Sequence, residues 1–153
     1  KALGNGMPIG AVLATDKAAV GMTPGTHGST YGGNPLAVAA ANAVLDVMLE
    51  DGFFDHVQRI AGLLNQKLAG IVDAHPDVLE SVRGQGLLIG LKCKTSNLAL
   101  VDALREEGVL TVGAADNIVR LIPPLIIDDA EVDEAMAALD RACEKLEAAD
   151  GEA

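Results

Sequence analysis

KALGNGMPIGAVLAT (residues 1–15) opens on a lysine, passes through glycines and a proline, and then turns apolar. Lysine is a strongly hydrated cation, but its pKa falls readily on burial, and the neutral amine is a nucleophile toward carbonyl carbon. Neighbouring glycines leave space for another group to approach the backbone. Lys1 is therefore a candidate Schiff-base former, although a lone lysine beside glycine is more often a solvated surface residue. The apolar run 9–15 reads as a short buried strand, and DKAAVG (16–21) as a weak helical turn.

Outward from this stretch comes MTPGTHGSTYGGN (22–34), a long loop of small and polar residues. Loops of this length in compact domains are usually functional or disordered, and the flanks here are too apolar for disorder. The hydroxyls of Ser29 and Thr30, with successive N–H groups and flanking glycines, can cradle a phosphate. A plain Gly/Ser turn is the simpler reading of composition alone, and His27 reads as a hydrogen-bonded loop residue rather than a base. Asn34-Pro35 then starts a helix, because Asn accepts from orphan N–H groups and Pro loses nothing at the first helical position. That helix (35–50) is apolar on nearly every face and is expected to be buried.

Asp51-Gly52 ends it, and an amphipathic helix follows over 53–73, with Val57, Ile60, Leu64, Leu68 and Ile71 at helical spacing. The change from all-round to one-sided apolarity places a domain boundary near residue 50. Beyond it, residues 78–93 read as two strands around a glycine turn, and 96–108 as a helix with a Ser N-cap and a Gly stop. Residues 109–122 read as two more strands. The closing helix (128–149) has Asp128, Asp129, Glu131 and Asp133 at its positive end. The expected architecture is an α/β layer over residues 1–50 followed by a small α+β unit over 51–153.

The net charge of −11, from 11 cations and 22 anions, leaves no basic stripe for nucleic acid and no anchor for an anionic membrane. No apolar run reaches the roughly 18 residues of a spanning helix. Cys93 and Cys143 lack metal-ligand spacing and read as buried, inert thiols, so no metal site is expected and a cytoplasmic setting is. With no methionine before Lys1, the natural start of the polypeptide can lie upstream.

Arg120, in NIVRLIPPLII (117–127), sits in an otherwise apolar strand. Burying it is costly unless a carboxylate or phosphate meets it, and its fork suits a carboxylate's two oxygens. The alternative is an arginine at a strand edge, reaching for water. Arg83, in SVRGQG (81–86), reads as a structural ion-pair partner. A reactive lysine, a phosphate cradle and a carboxylate-binding arginine together form one known constellation.

The residues that carry it resemble the class III pyridoxal-phosphate aminotransferases. KALGNGMPIGAVLA resembles their lysine-bearing segment and PGTHGSTYGGNPLA their phosphate-contact segment, while VRGQGLLIGL and NIVRLIPPLII match signatures of their C-terminal domain. The likeness covers all but the last few residues and is nearest to members acting on N-acetylornithine, ornithine and succinylornithine. Asn5 stands where many relatives carry glycine.

The resemblance implies fold type I of the pyridoxal-phosphate-dependent transferases: the C-terminal end of the large cofactor domain (1–50) plus the small domain (51–153). It implies that Lys1 holds the cofactor aldehyde and moves a proton between substrate and cofactor. Thr30, helped by Ser29, would bind the cofactor phosphate, with Thr30 serving the partner's site in a homodimer. Arg120 would hold a substrate carboxylate. The implied reaction passes the terminal amino group of N-acetylornithine, or of a related ω-amino acid such as ornithine, succinylornithine or 4-aminobutyrate, to 2-oxoglutarate, forming glutamate in arginine biosynthesis. A same-fold aminomutase or a non-enzymatic module are the competing readings. The family's carboxylate for the pyridine nitrogen, its ring-stacking aromatic, its glycine phosphate loop and its second arginine all lie upstream of the lysine. These 153 residues therefore read as the C-terminal portion of a longer enzyme, inactive alone.

Overall fold

The computed structural model describes residues 2–151 and divides into two compact units, residues 1–54 and 55–153. Lys1 lies outside the described residues.

In the first unit, a turn over residues 2–6 is closed by Asn5 N–H to the Ala2 carbonyl at 3.1 Å and Met7 N–H to the Gly4 carbonyl at 3.0 Å. Gly4 is buried, and a Cβ there would collide with the Met7 carbonyl oxygen and lie 2.8 Å from Ile9 Cγ2. Asn5 adopts φ 44°, the left-handed region that asparagine tolerates best after glycine, which explains how it stands in for the commoner residue. Helix α1 (Asp16–Ala19) is capped by Thr15, whose Oγ1 accepts from Ala18 N–H at 3.3 Å. Helix α2 (Pro35–Met48) begins as its sequence demands: Pro35 in the first turn, and Asn34 Oδ1 accepting from Ala37 N–H at 2.9 Å.

Two expectations fail in this unit. Residues 9–15 form no strand, and Val12 and Leu13 are 94% and 99% exposed. A strand is completed by ladder partners on its edges, and the described residues of this unit contain no strand to supply them. Helix α2 is likewise not buried all round: Ala37 and Ala41 are covered, but Leu36, Leu45, Val47 and Leu49 are exposed. Its apolar faces outnumber the surfaces the unit offers.

Helix α3 (Phe53–Ala74) starts at the unit boundary, after Gly52 at φ 83°. The second unit then builds β1 (Leu79–Gln85), β2 (Leu88–Cys93), α4 (Asn97–Glu106), β3 (Val112–Ala114), β4 (Ile118–Leu121) and α5 (Asp129–Gly151). The four strands form one antiparallel sheet in the order β1-β2-β4-β3. The β1–β2 hairpin turns where the sequence places its glycines; Gly84 has φ 142°, and a Cβ there would strike the Leu88 carbonyl oxygen.

One sheet face carries Ile89, Leu91 and Val119 into a core with Ile60, Leu64 and Leu68 of α3, Leu100 and Leu104 of α4, and Val132 and Leu139 of α5. Period-2 burial in β2 and 3.6-period burial in the helices are the same apolar pattern read on two geometries. Cys93 and Cys143 lie in this core as free thiols, as expected. Burial, with Glu147 nearby, pushes the Cys143 thiol up to about 12, so it stays protonated and inert.

The start of α4 differs from expectation. Ser96 is the N-cap residue, but its side chain makes no capping bond; Asn117 Oδ1 accepts from Asn97 N–H at 2.9 Å instead. The strand expected from residue 109 begins only at Val112. Helix α5 has a reciprocal cap that the acidic cluster conceals: Glu131 N–H donates to Asp128 Oδ1 at 2.9 Å and Asp128 N–H to Glu131 Oε2 at 3.0 Å.

Candidate functional site

Ser29 and Thr30 lie on the turn that leads into α2. The turn is held by Gly32 N–H to the Ser29 carbonyl (3.3 Å), Asn34 N–H to the Tyr31 carbonyl (3.3 Å) and Asn34 Nδ2 to the same carbonyl at 2.9 Å. Asn34 thus caps the helix with one end of its amide and fastens the loop with the other. His27 is exposed on this loop, and no hydrogen bond to its side chain occurs among the described residues.

A cleft of about 680 Å³ opens here, lined by Pro8, Ile9 and Gly10 from the opening stretch and by Ser29, Tyr31 and Gly32–Asn34 from the turn. Two segments twenty residues apart in sequence therefore meet across one space. A Cβ on Gly32 would lie 3.1 Å from Ser29 Cβ and 3.2 Å from its Oγ, tighter than ordinary contact. Glycine at 32 is what leaves the hydroxyl of Ser29 room. Thr30 is exposed and is not among the residues lining the cleft. Tyr31 also lines it and is 82% exposed.

Arg120 belongs to the second unit. It is not buried against an anion; it is exposed to water, as the alternative reading expects, but from a strand in the interior of the sheet. Strand β4 lies inside the sheet, between β2 and β3. Cross-strand pairing puts Arg83, Gly90, Arg120 and Val112 in one row, on the face opposite Ile89 and Leu121. That face is open: Arg83, Arg120 and Val112 are all exposed. The row resolves the apparent cost of an arginine in an apolar strand, since alternate residues of β4 face water while Val119 faces the core.

Arg83 forms the expected ion pair, with Asp116 at 3.1 Å, and Lys92 Nζ reaches the same carboxylate at 3.0 Å. The hydrogen bond from Lys92, with Arg83 adding to it, holds the Asp116 carboxyl below its usual range. Arg120 has no carboxylate partner among the described residues. Within this row, Arg120 is thus the cation without an ion-pair partner among the described residues.

Ser29 and Thr30 are neighbours on one turn, while Arg120 stands in the other unit. Among the described residues no group of His, Cys, Asp and Glu could hold a metal ion, and no helix is long and apolar enough to cross a membrane.

The chain belongs to the class-III aminotransferases: the profile of the family Aminotransferase class-III matches residues 1–143. Enzymes of this class depend on pyridoxal phosphate. The chain is 63% identical over 143 residues to acetylornithine aminotransferase 1 of Bradyrhizobium diazoefficiens, covering 94% of this chain and 35% of that protein. It is 55% identical over 146 residues to the acetylornithine aminotransferase of Brucella melitensis, covering 95% and 36%. The chain thus spans about a third of the length of the curated relatives it matches.

Among solved structures, the acetylornithine aminotransferase of Elizabethkingia anophelis matches with a TM-score of 0.74 at 31% identity, over 81% of this chain and 33% of that one. The ornithine δ-aminotransferase of Plasmodium falciparum matches at 0.78 and 31%, over 87% and 35%. The ornithine aminotransferase of Toxoplasma gondii, with pyridoxal phosphate at partial occupancy in its active site, matches at 0.73 and 31%, over 82% and 30%. Fold type I, with a small antiparallel sheet in an α/β setting, is therefore the architecture of this chain.

The residues present fit the phosphate end of such a cofactor. Ser29, Gly32 and Gly33 line one cleft, and the space beside Ser29 is one that a side chain at position 32 would fill.

Proposed function

We propose that this chain carries the lysine, phosphate-contact and carboxylate-binding segments of an aminotransferase that moves the terminal amino group of N-acetylornithine to 2-oxoglutarate, a step of arginine biosynthesis. The observation that carries the reading is the cleft in which the stretch following Lys1 meets the Ser29–Asn34 turn, in a chain of this family. In domain terms, residues 1–50 would be the end of the cofactor domain and 51–153 the small domain.

Lys1 is the residue that would hold the cofactor's aldehyde; its amine would then carry the proton to and from the substrate carbon. Ser29 and Thr30 would bind the phosphate, and Arg120 one carboxylate of glutamate or 2-oxoglutarate through its planar fork. Pyridoxal phosphate, when bound, supplies the electron sink for the charge that develops on that carbon. Thr30 would serve the partner's site in a homodimer. The two unpaired thiols suit the reducing cytoplasm.

Three measurements test this. Pyridoxal phosphate added to the protein should give the absorbance of a lysine imine, and borohydride should then fix the cofactor's mass on Lys1. An imine that persists in Lys1→Ala would refute the role. Arg120→Ala should leave cofactor loading intact and raise the KM for glutamate or 2-oxoglutarate steeply; an unchanged KM removes Arg120 from the site. These assays are run on protein competent for transamination, whether this chain or the chain joined to the further segments its relatives carry. Mixing Lys1→Ala with Thr30→Ala should restore activity, because a mixed dimer would then contain one intact site; no recovery places both residues in the same protomer's site. Ornithine as donor is the second reading, favoured by the match to ornithine aminotransferase structures. Comparing kcat/KM for N-acetylornithine and ornithine separates the two, and glutamate formation separates both from an aminomutase.

A further inference from the structure

The three residues before β4 turn the chain from β3, and two of them, Asp116 (φ 61°) and Asn117 (φ 52°), are consecutive non-glycine residues in the left-handed region. Such conformations persist where surrounding contacts impose them, and here the contacts can be named. Asn117 Nδ2 donates to the Cys93 carbonyl at 2.8 Å and to the Thr95 carbonyl at 2.7 Å, while its Oδ1 accepts from Asn97 N–H. Its own carbonyl accepts from Cys93 N–H at 3.0 Å. Asn97 returns the connection: its Nδ2 donates to the Ala114 carbonyl at 3.1 Å and the Ile118 carbonyl at 2.9 Å.

The end of β2, the start of α4 and both sides of the β3–β4 turn are therefore tied through two asparagine side chains. Strand β4 is four residues long and β3 three. So short a ladder leaves the entry of β4 to be set by what anchors it, and Arg120 follows Asn117 by three residues. Within the turn, Asp116 occupies Arg83 and Lys92, so among the described residues Arg120 is the cation of the row across Gly90 without an ion-pair partner.

We infer that Asn117, with Asn97, is a positioning residue for Arg120: the asparagine pair sets the place from which that guanidinium meets a substrate carboxylate. The inference rests on the proposed role of Arg120. Bidentate recognition is sensitive to displacement, and misplacement by about 1 Å can cost 10²-fold in an enzyme site.

Asn117→Gly keeps the backbone conformation available and removes only the side-chain bonds. In transamination-competent protein it should raise the KM for 2-oxoglutarate about tenfold, with kcat within about twofold and the absorbance of bound pyridoxal phosphate unchanged. Asn117→Asp, which keeps the acceptor but loses both donors, should move KM the same way. Leu68→Ala, a core deletion away from the turn, should lower Tm without raising KM, which separates positioning from loss of stability. In an Arg120→Ala background, Asn117→Gly should add nothing further to KM. If Arg120→Ala raises KM and Asn117→Gly does not, this inference alone falls; if Arg120→Ala leaves KM unchanged, the role of Arg120 falls with it. Should Asn117→Gly not fold, Asn97→Ala removes only the bonds to Ala114 and Ile118, and an unchanged KM there overturns the inference.

Discussion

The two units are similarly apolar in sequence but treat their apolar side chains differently. In the second, Leu68, Leu91 and Leu100 are completely covered by three helices and one face of a sheet. In the first, Val12, Leu13 and Leu49 stand open, and of the fourteen residues of α2 only two alanines are buried. Apolar area removed from water contributes about 25 cal/mol per Å², so a unit with a closed core carries its own driving force. One with open apolar faces depends on surfaces outside itself. The contrast matches composition to topology: the second unit has a sheet whose one face the helices can cover, whereas the first has two helices and turns.

The largest test of this contrast is a pair of leucine deletions. Leu100→Ala should cost about 3 kcal/mol, from the lost transfer energy and the cavity left behind, whereas Leu13→Ala should fall within about 0.5 kcal/mol. Urea denaturation of both variants decides it, and equal losses would break the comparison.

Next in size is His75, a buried polar residue of the second unit. It lies between Asp140 at 2.9 Å and Glu147 at 3.1 Å, both on α5. Burial disfavours its charged form, but the hydrogen bonds to Asp140 and Glu147 outweigh that and raise its pKa. A pKa raised by folding means the contribution is complete below the unfolded value of about 6.5 and fades as pH climbs through the folded one. His75→Gln should thus cost about 1–3 kcal/mol at low pH and less at high pH. A pH series of denaturation midpoints, with NMR titration of the imidazole, checks both sign and window.

Smaller is Asn34→Ala in the first unit. Loss of the bond to Ala37 N–H should cost about 1 kcal/mol and fray α2, seen as lost helicity by circular dichroism. Asp128→Ala removes the corresponding cap of α5 and should cost a similar amount, but with little loss of helicity, because α5 is also held by the core. The smallest effect belongs to Gly32→Ala. Ser29 has only to yield by a few tenths of an ångström, so Tm should stay put while pyridoxal-phosphate affinity weakens severalfold. Unaltered affinity would take Ser29 out of the phosphate contact.

Much of the second unit was legible in sequence. The spacing of Ile60, Leu64 and Leu68 predicts α3, the glycines of 84–86 predict the β1–β2 hairpin, and both thiols are buried as read. Residues 9–15 were misread because an apolar run specifies burial without saying where the covering surface comes from. The Asn117 hub was invisible for a related reason. An asparagine before an apolar strand signals a turn, but its partners are twenty and more residues distant.

By themselves, the 153 residues determined the helix starts at Asn34 and Asp128, the turns at Gly52 and Gly84, and which face of each element is apolar. These are local choices, settled by dihedral sterics and by the nearest hydrogen-bonding side chain. Tertiary structure decided that Arg120 stands in the middle of an open sheet face with its neighbours' charges already matched, and that Ser29 shares a cleft with Ile9. Both depend on pairing between strands or loops far apart in the chain. Such contacts are chosen by the free energy of the whole assembly of elements, which no single stretch of residues contains.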